Sequence, residues 1–219
     1  KTEVLELAPL GAINLHSSYL PAYRGAAPIN WAIINGEHKT GVSVIKLDKF
    51  VDHGGIIIQE QVEILDNDNV LTLSDKLAHQ GADILLKAID LLEKGQAELL
   101  VQDESKSSFA PKLKKEDGRI DWSLPADSIK NRIRGLVPWP GCFTCYKGRI
   151  LKLFKAELQA DDLQLPVPGT VALDKKKGII VQTGKGRLLI TGLQLQGRKK
   201  ISGIDFIAGR QIKAGDILS

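Results

Sequence analysis

One long amphipathic segment, residues 70–94, constrains the fold of this chain more than any other feature. Its apolar side chains recur with the spacing of a helix face: Val70, Leu73, Leu77, Ile84, Ala88 and Leu92. Asp68 or Asn69 can cap the start of this helix, and Gly95 can end it. The sequence therefore predicts a single helix over residues 70–94.

Strand-type and helix-type segments alternate before this helix. Residues 12–15 are predicted to form a short buried strand, and residues 28–36 a short helix with a proline in its first turn and a glycine after its end. Residues 41–47 and 55–64 are rich in β-branched side chains and are predicted strands. Alternation of this kind favours an α/β sheet.

A polar stretch rich in serine and lysine, residues 96–118, is predicted to be a linker between a first domain, residues 1–95, and a second domain, residues 119–219. The helices predicted for the second domain cover residues 126–136 and 202–208. Its remaining segments read as short strands separated by turns: CFTCY, RILKLFKAEL, GTVAL, GIIVQT and RLLITGLQLQ. Short strands at this spacing indicate a small barrel or sandwich.

The two halves of the chain carry opposite charge. Residues 1–100 hold 8 Lys and Arg against 14 Asp and Glu, whereas residues 101–219 hold 22 against 12. A basic half joined to an acidic half suggests that the basic half meets a polyanion such as a nucleic acid. The alternative is an ordinary lysine-rich surface that is solvated.

Composition excludes several classes of protein. The sequence has no apolar run close to the roughly 18 residues that cross a bilayer, and no secretory leader opens it, so we expect no membrane contact and a cytoplasmic location. Cys142 and Cys145 cannot form a disulfide framework, and without a second ligand pair they are not expected to bind zinc. We expect no metal.

A group of polar side chains lies at the end of the first predicted strand. Period-two alternation puts Asn14, His16 and Ser18 on one face if the strand continues. Asp52 and His53 precede a glycine pair ahead of another strand, and a carboxylate at that turn could reach the first group. Alternatively, the strand-end side chains satisfy loop backbone groups and the Asp-led turn caps itself.

These stretches resemble the folate-dependent formyltransferases, and within them those that act on methionyl-tRNA. Residues 14–28, NLHSSYLPAYRGAAP, look like the family signature N-x-H-x-S-L-L-P-x-Y-R-G-A-A-P, with Tyr19 where the family pattern has leucine. Asp52-His53-Gly54 looks like the family's D-x-G turn. Further matches follow in order beyond the predicted linker: RIDWS at 119–123, IRGLVPWPG at 133–141, PGTV at 168–171 and LQLQGRKKISGIDF at 193–206.

The resemblance implies a formyl transfer from 10-formyltetrahydrofolate, with catalytic roles for three residues. Asn14 would hydrogen-bond the formyl oxygen, and His16 would stabilise the developing oxyanion. Asp52 would orient His16 and relay a proton. The residues expected to support the loop or bind folate are Ser18, Leu20, Pro21, Arg24, Gly25, His53 and Gly54.

The resemblance also implies a partner for the basic half. In the family this part is a small OB-like barrel that contacts the initiator methionyl-tRNA, and a monomer is expected. The candidate phosphate contacts are Lys147, Arg149, Lys152, Lys155, Arg198, Lys199 and Lys200. The resulting fold class is α/β: the C-terminal half of a Rossmann-like formyltransferase domain, followed by a small β-barrel.

Alternative functions stay open. The family also includes enzymes that formylate a nucleotide sugar or hydrolyse 10-formyltetrahydrofolate, and a non-catalytic nucleic-acid-binding module is a third possibility. A serine hydrolase built on Ser17 or Ser18 is disfavoured because no G-x-S-x-G elbow is present. The resemblance covers the later part of the catalytic domain, so Lys1 is expected to lie inside that domain and catalysis by this chain alone to be weak.

Overall fold

The computed structural model comprises two compact units. The first is formed mainly by residues up to Leu113, and the second mainly by residues from Lys114 onward. The residues that the structure describes are 5, 7–159, 165–209 and 211–219. Of the helices in these ranges, none is long and apolar enough to span a membrane.

The first unit contains a three-stranded sheet covered by one long helix. Its elements in chain order are β1 (Ile13–His16), β2 (Arg24–Gly25), α1 (Pro28–Ile34), β3 (Lys39–Lys46), β4 (Ile56–Glu63), α2 (Val70–Glu93) and β5 (Phe109–Ala110). The sheet order is β1-β3-β4, and both pairings are antiparallel, with His16 opposite Ser43. The strands and helices predicted for residues 12–94 are therefore confirmed, within a residue or two at their ends.

The long helix α2 has the cap and the buried stripe that its sequence predicts. Oδ1 of Asn69 accepts the N–H groups of Leu71 and Thr72 at 2.8 and 3.2 Å, and the Thr72 hydroxyl accepts the N–H of Asn69 at 3.0 Å. Its buried residues are Leu73, Leu77, Gly81, Ile84 and Ala88, which pack on β3 and β4. The helix thereby covers one face of the sheet and buries it.

The segment predicted as a linker, residues 96–118, contains structure that belongs to the first unit. Leu100 forms a backbone bridge with Ile56, and β5 pairs in parallel with β2. The Ser108 carbonyl accepts the N–H of Arg24 at 2.8 Å. These backbone contacts attach residues 96–113 to the first unit, and the division between the units falls after Leu113.

The second unit is built on a six-stranded antiparallel sheet. Its elements are α3 (Ala126–Gly135), β6 (Cys142–Tyr146), β7 (Arg149–Gln159), β8 (Val171–Asp174), β9 (Gly178–Gln182), β10 (Arg187–Leu195), β11 (Ile201–Ser202) and α4 (Gly203–Ala208). The order is β6-β7-β10-β9-β8, and β11 pairs with β10. The five strands predicted from turn spacing are thus confirmed, as are both helices.

The predicted small OB-like barrel is not confirmed, because β6 and β8 do not pair with each other in the part of the chain that the structure describes. Closure requires hydrogen bonds between the first and last strands of a sheet. The end of the chain lies at that position. Ser219 exchanges both backbone hydrogen bonds with Cys145 of β6, and Leu218 donates to the Gly169 carbonyl, just before β8. An irregular segment therefore covers the edge that a strand pair would close.

Candidate functional site

Three of the predicted residues come together in the first unit. Nδ1 of His16, at the end of β1, lies 3.6 Å from Oδ2 of Asp52, in the turn between β3 and β4. Nδ2 of Asn14 lies 3.5 Å from Oδ1 of the same carboxylate. The side chains of His16 and Asp52 are only 6 % and 11 % exposed. The amide, the imidazole and the carboxylate thus form one largely desolvated group, which we call the Asn-His-Asp cluster.

The hydrogen bonds of His16 settle which ring nitrogen carries a proton. Nε2 lies 2.9 Å from the Tyr23 carbonyl oxygen, which can only accept, so Nε2 carries a hydrogen. Nδ1 then faces the Asp52 carboxylate. A proton on Nδ1 makes an imidazolium paired with a carboxylate, whereas its loss leaves two acceptors facing each other. The second ring nitrogen of His16 is thereby directed at the carboxylate of the cluster.

The backbone around Asp52 explains how its carboxylate is aimed. Asp52 has a positive φ of 50°, a left-handed conformation that aspartate tolerates better than most residues. Its Oδ2 accepts the N–H of Gly25 at 2.8 Å. Gly25 itself has φ 115°, and a Cβ there would lie 2.8 Å from the Ala110 carbonyl oxygen. A Cβ on Gly54 would overlap the Lys46 carbonyl. Both glycines are required by close backbone approach.

Arg24 supports the loop and does not reach the Asn-His-Asp cluster. Its buried guanidinium donates from Nε and Nη2 to Oε1 of Gln102, at 3.1 and 2.7 Å. It also donates to both carboxylate oxygens of Glu104, at 3.0 and 2.6 Å. These hydrogen bonds hold the pKa of the Glu104 carboxyl below its ordinary value. These hydrogen bonds of the Arg24 side chain tie β2 to the segment after α2.

Ser18, Leu20 and Pro21 shape the same loop from within. The Ser18 hydroxyl is buried and donates to the Ala22 carbonyl at 2.6 Å. Leu20 is buried and donates its N–H to the Ser43 hydroxyl at 3.1 Å, and its peptide bond to Pro21 is cis. None of these described contacts reaches the Asn-His-Asp cluster, so these residues position the loop.

His53 faces away from the cluster. Its Nδ1 lies 2.6 Å from Oδ2 of Asp48, and its Nε2 lies 3.5 Å from Oε1 of Glu104. Its side chain is 40 % exposed. Burial alone would raise the pKa of Asp48, but hydrogen bonds from His53 and from the Phe50 N–H outweigh it and lower that pKa. The structure thus separates His53 from its chain neighbour Asp52.

Gln102 is the residue beside the site that sequence reasoning missed. It is buried within the stretch predicted as a linker, and its Nε2 donates to the carbonyls of Asp52 and Gly54, both at 2.9 Å. No periodicity or motif marks a single glutamine in a polar segment. Its position depends on the parallel pairing of β5 with β2, and the sequence gives no sign of that pairing.

A basic cavity lies in the second unit. Four of the seven predicted phosphate contacts, Lys147, Arg149, Arg198 and Lys199, line a cavity of about 610 Å³, together with Tyr146 and Phe206 among others. Nζ of Lys147 lies 3.3 Å from Oδ2 of Asp216, and Nη2 of Arg149 donates to the Gln196 carbonyl at 2.6 Å. The side chains are thereby held around one concave surface with an excess of positive charge.

The other three predicted contacts do not line the basic cavity. Lys152 is exposed on β7, Lys155 lies 3.4 Å from Oε1 of Glu157, and Lys200 lies over the ring of Phe154 at 4.5 Å from its centroid.

Of the described residues, no group of three or more His, Cys, Asp or Glu could hold a metal ion.

Comparisons with known proteins give the same family for both halves. The family model described as Formyl transferase matches residues 1–89, and that described as Formyl transferase, C-terminal domain, matches residues 112–211. The methionyl-tRNA formyltransferase of Desulforamulus reducens is 44 % identical over 99 % of this chain and 68 % of its own length. That of Alkaliphilus oremlandii is 44 % identical over 98 % of this chain and 69 % of its own length.

Solved structures share the fold at lower identity. HypX from Aquifex aeolicus superposes with a TM-score of 0.69 and 19 % identity, covering 92 % of this chain and 36 % of that one. An N-formyltransferase from Helicobacter canadensis, solved with folinic acid and dTDP-3-aminofucose, gives 0.67 and 22 %, covering 81 % of this chain and 64 % of that one. At these identities the likeness concerns the fold.

Proposed function

The chain belongs to the formyl transferase family, and from that premise we propose that it transfers a formyl group from 10-formyltetrahydrofolate to the amino group of methionyl-initiator tRNA. The observation that carries the proposal is the convergence of Asn14, His16 and Asp52, taken with 44 % identity to methionyl-tRNA formyltransferases along almost the whole chain. The donor set suits a formyl carbonyl, because an amide N–H and an imidazolium both stabilise a negative oxygen.

The reaction needs little beyond proton transfer and charge stabilisation. An α-amino group with a pKa near 8 is a competent nucleophile at neutral pH once deprotonated. Its attack on the formyl carbon produces a tetrahedral intermediate that carries an oxyanion and an ammonium. The oxyanion requires donors, and the ammonium proton must move to the leaving nitrogen of the folate.

The cluster geometry suggests how the three residues divide these tasks. Nδ2 of Asn14 has two hydrogens, of which one faces Asp52 and the second is free to bind the formyl oxygen. Both ring nitrogens of His16 already face protein oxygens, so we assign its role to the charge of the protonated ring close to the oxyanion. The negative charge of Asp52 stabilises the proton on Nδ1 of His16. Asp52 also accepts a proton from the attacking amine and passes it to the leaving nitrogen.

The second unit is proposed to bind the tRNA through its basic cavity. Four cationic side chains around one concave surface provide a site for backbone phosphates, with affinity that depends on salt and little on sequence. As part of the same proposal, this unit is an OB-like barrel in which the C-terminal segment takes the place of a closing strand. The remaining predicted cations, Lys152, Lys155 and Lys200, are proposed as peripheral phosphate contacts.

The test is a competition between acceptors. The purified protein is incubated with 10-formyltetrahydrofolate carrying a labelled formyl group, together with methionyl-initiator tRNA, and in parallel with a dTDP-linked amino sugar. We expect the label on the aminoacyl-tRNA. Label on the sugar would replace the proposal with a nucleotide-sugar formyltransferase, and release of free formate alone would replace it with a hydrolase. Salt-dependent tRNA binding with no label transferred would leave a nucleic-acid-binding module.

A further inference from the structure

We propose that Gln102 is a positioning residue that fixes Asp52 in the Asn-His-Asp cluster; this inference rests on the proposed formyl transfer. Gln102 is buried at 6 % exposure and lies after α2, far along the chain from the catalytic residues. It touches neither His16 nor Asn14 in the contacts described. Its effect must therefore pass through the backbone of the turn that carries Asp52.

The side-chain amide of Gln102 uses its complete hydrogen-bonding capacity. Its two N–H groups donate to the carbonyls of Asp52 and Gly54, both at 2.9 Å. Its oxygen accepts two N–H groups of Arg24, at 3.1 and 2.7 Å. A flipped amide would oppose donors to donors and oxygens to oxygens, so the orientation is unique. A primary amide is the side-chain group that meets both demands.

The hydrogen bonds of Gln102 act on a turn that contains a strained residue, Asp52. Asp52 adopts a left-handed conformation that costs a non-glycine residue free energy, and its turn persists only if its surroundings hold it. The Asp52 carbonyl belongs to the peptide that directly follows this residue, and the Gly54 carbonyl lies two residues further along the turn. Because one amide group binds both carbonyls, Gln102 holds the backbone from Asp52 to Gly54 and thereby limits how the Asp52 carboxylate can turn.

The contacts on the other side of Gln102 reinforce the same carboxylate. Arg24, which donates to the Gln102 oxygen, precedes Gly25, whose N–H donates to Oδ2 of Asp52 at 2.8 Å. The contacts thus form a ring: Asp52 backbone to Gln102, Gln102 to Arg24, and Gly25 back to the Asp52 side chain. Both the backbone and the carboxylate of Asp52 are held through one buried amide.

The variant that separates these functions is Gln102→Glu. It keeps an oxygen for Arg24 but removes both donors to the turn and sets a carboxylate oxygen against two carbonyls. We expect kcat for formyl transfer to methionyl-tRNA to fall roughly 10- to 100-fold, the scale of a small misplacement of a reacting group, with KM for both substrates within twofold of the wild-type value.

Two matched variants serve as controls. Gln61→Glu makes the same chemical change at an exposed position on β4, and we expect kcat to remain at the wild-type value. Glu104→Ala removes the outer partner of Arg24 while leaving both Gln102 donors in place, and we expect less than a threefold change. A loss in Glu104→Ala as large as that in Gln102→Glu would overturn the proposal, because general loosening of Arg24 would then explain both.

A double-mutant cycle with Asp52→Asn tests whether Gln102 acts through Asp52. We expect Gln102→Glu to lower kcat less than threefold further in the Asp52→Asn background. Independent, multiplicative losses would overturn the proposal, as would a wild-type rate in Gln102→Glu. If thermal unfolding shows that Gln102→Glu does not fold, Gln102→Met replaces it in the same cycle; failure of both to fold would make the residue structural and would also overturn the proposal. A wild-type protein that transfers no formyl group refutes the proposed function instead.

Discussion

Nδ1 of His16 faces the same Asp52 oxygen, Oδ2, that accepts the backbone N–H of Gly25. The distances are 3.6 and 2.8 Å, so only the contact with the backbone N–H has the length of a hydrogen bond, and this bond fixes the direction of the carboxylate. A carboxylate anchored in this way can respond to the charge of His16 without turning away from it.

The first prediction concerns the charge of Asp52. Asp52→Asn keeps the size of the side chain and an oxygen for the Gly25 N–H, but it removes the negative charge that faces His16. We expect kcat for formyl transfer to fall about 100-fold or more, because preorganised electrostatic stabilisation is lost. Single-turnover transfer of labelled formyl measures this effect. Asp66→Asn, the same change at an exposed loop position, should transfer at the wild-type rate, and equal rates for the two variants would contradict the assignment.

The second prediction separates backbone strain from steric overlap. Gly25→Ala places a Cβ 2.8 Å from the Ala110 carbonyl and also carries the cost of a φ of 115°. Gly95→Ala has φ 65° and no neighbouring atom within 4 Å, so it carries the conformational cost alone.

We expect the free energy of unfolding to fall by about 1 kcal/mol in Gly95→Ala and by about 3 kcal/mol in Gly25→Ala. Urea unfolding followed by circular dichroism measures both values. Gly25→Ala should also slow formyl transfer, whereas Gly95→Ala should not. Equal destabilisation of the two variants would contradict the close approach of β2 to β5 at Gly25 and Ala110.

The third prediction concerns the basic cavity. Removing Arg149 or Arg198 should weaken tRNA binding for any sequence and reduce the slope of log K against log salt by about one for each charge removed. Lys176→Ala removes an exposed charge from the β8–β9 turn, and its slope should stay unchanged. Filter binding at several salt concentrations gives the slopes. The cavity would have no role in tRNA binding if all three variants behaved alike.

The fourth prediction concerns the pH dependence of stability. Burial alone would raise the pKa of Asp68, but hydrogen bonds from Lys76, the Leu65 N–H and the Thr72 hydroxyl outweigh it and lower that pKa from its ordinary 3.8. Because the folded pKa lies below the unfolded one, the stabilising contribution is complete well above pH 3.8 and is lost as the pH falls through the folded value.

Asp68→Asn should therefore unfold more easily than the wild type at pH 7, and the difference should shrink as the pH is lowered below 4. Chemical denaturation at a series of pH values measures it. Asp83→Asn, at an exposed position on α2, is the control and should show no pH-dependent difference. A difference for Asp68→Asn that is constant from pH 7 to pH 3 would contradict the assignment.

Local patterns predicted most of the elements because their causes are local. The apolar stripe and the caps of α2 lie within one segment, and each β strand of the second unit lies between residues that favour turns. The pairing of strands depends on distant residues. Both pairings of the first sheet are antiparallel, and no local pattern in the sequence determines that direction.

Contacts that cannot be read from sequence spacing decide which motif residues lie in the Asn-His-Asp cluster and which lie outside it. Asn14 and Asp52 met because the β3–β4 turn folds over β1, and His53 diverged from Asp52 because Asp48 and Glu104 bind its ring. Gln102 carried no local signal, since its partners lie in two other segments. The predicted small barrel is not confirmed, because the last residues of the chain occupy the edge between the outer strands of the second sheet.

The parallel pair β2–β5 has a consequence for protein engineering. It joins the loop after β1 to a segment that follows the long helix, so the residues that hold the Asn-His-Asp cluster come from three stretches of chain. If the N-x-H stretch alone were grafted onto another scaffold, Asn14 and His16 would be transferred without the carboxylate of Asp52 and the contacts that hold it. A successful transplant must move the strand end, the β3–β4 turn and the segment from Gln102 to Ala110 as one module.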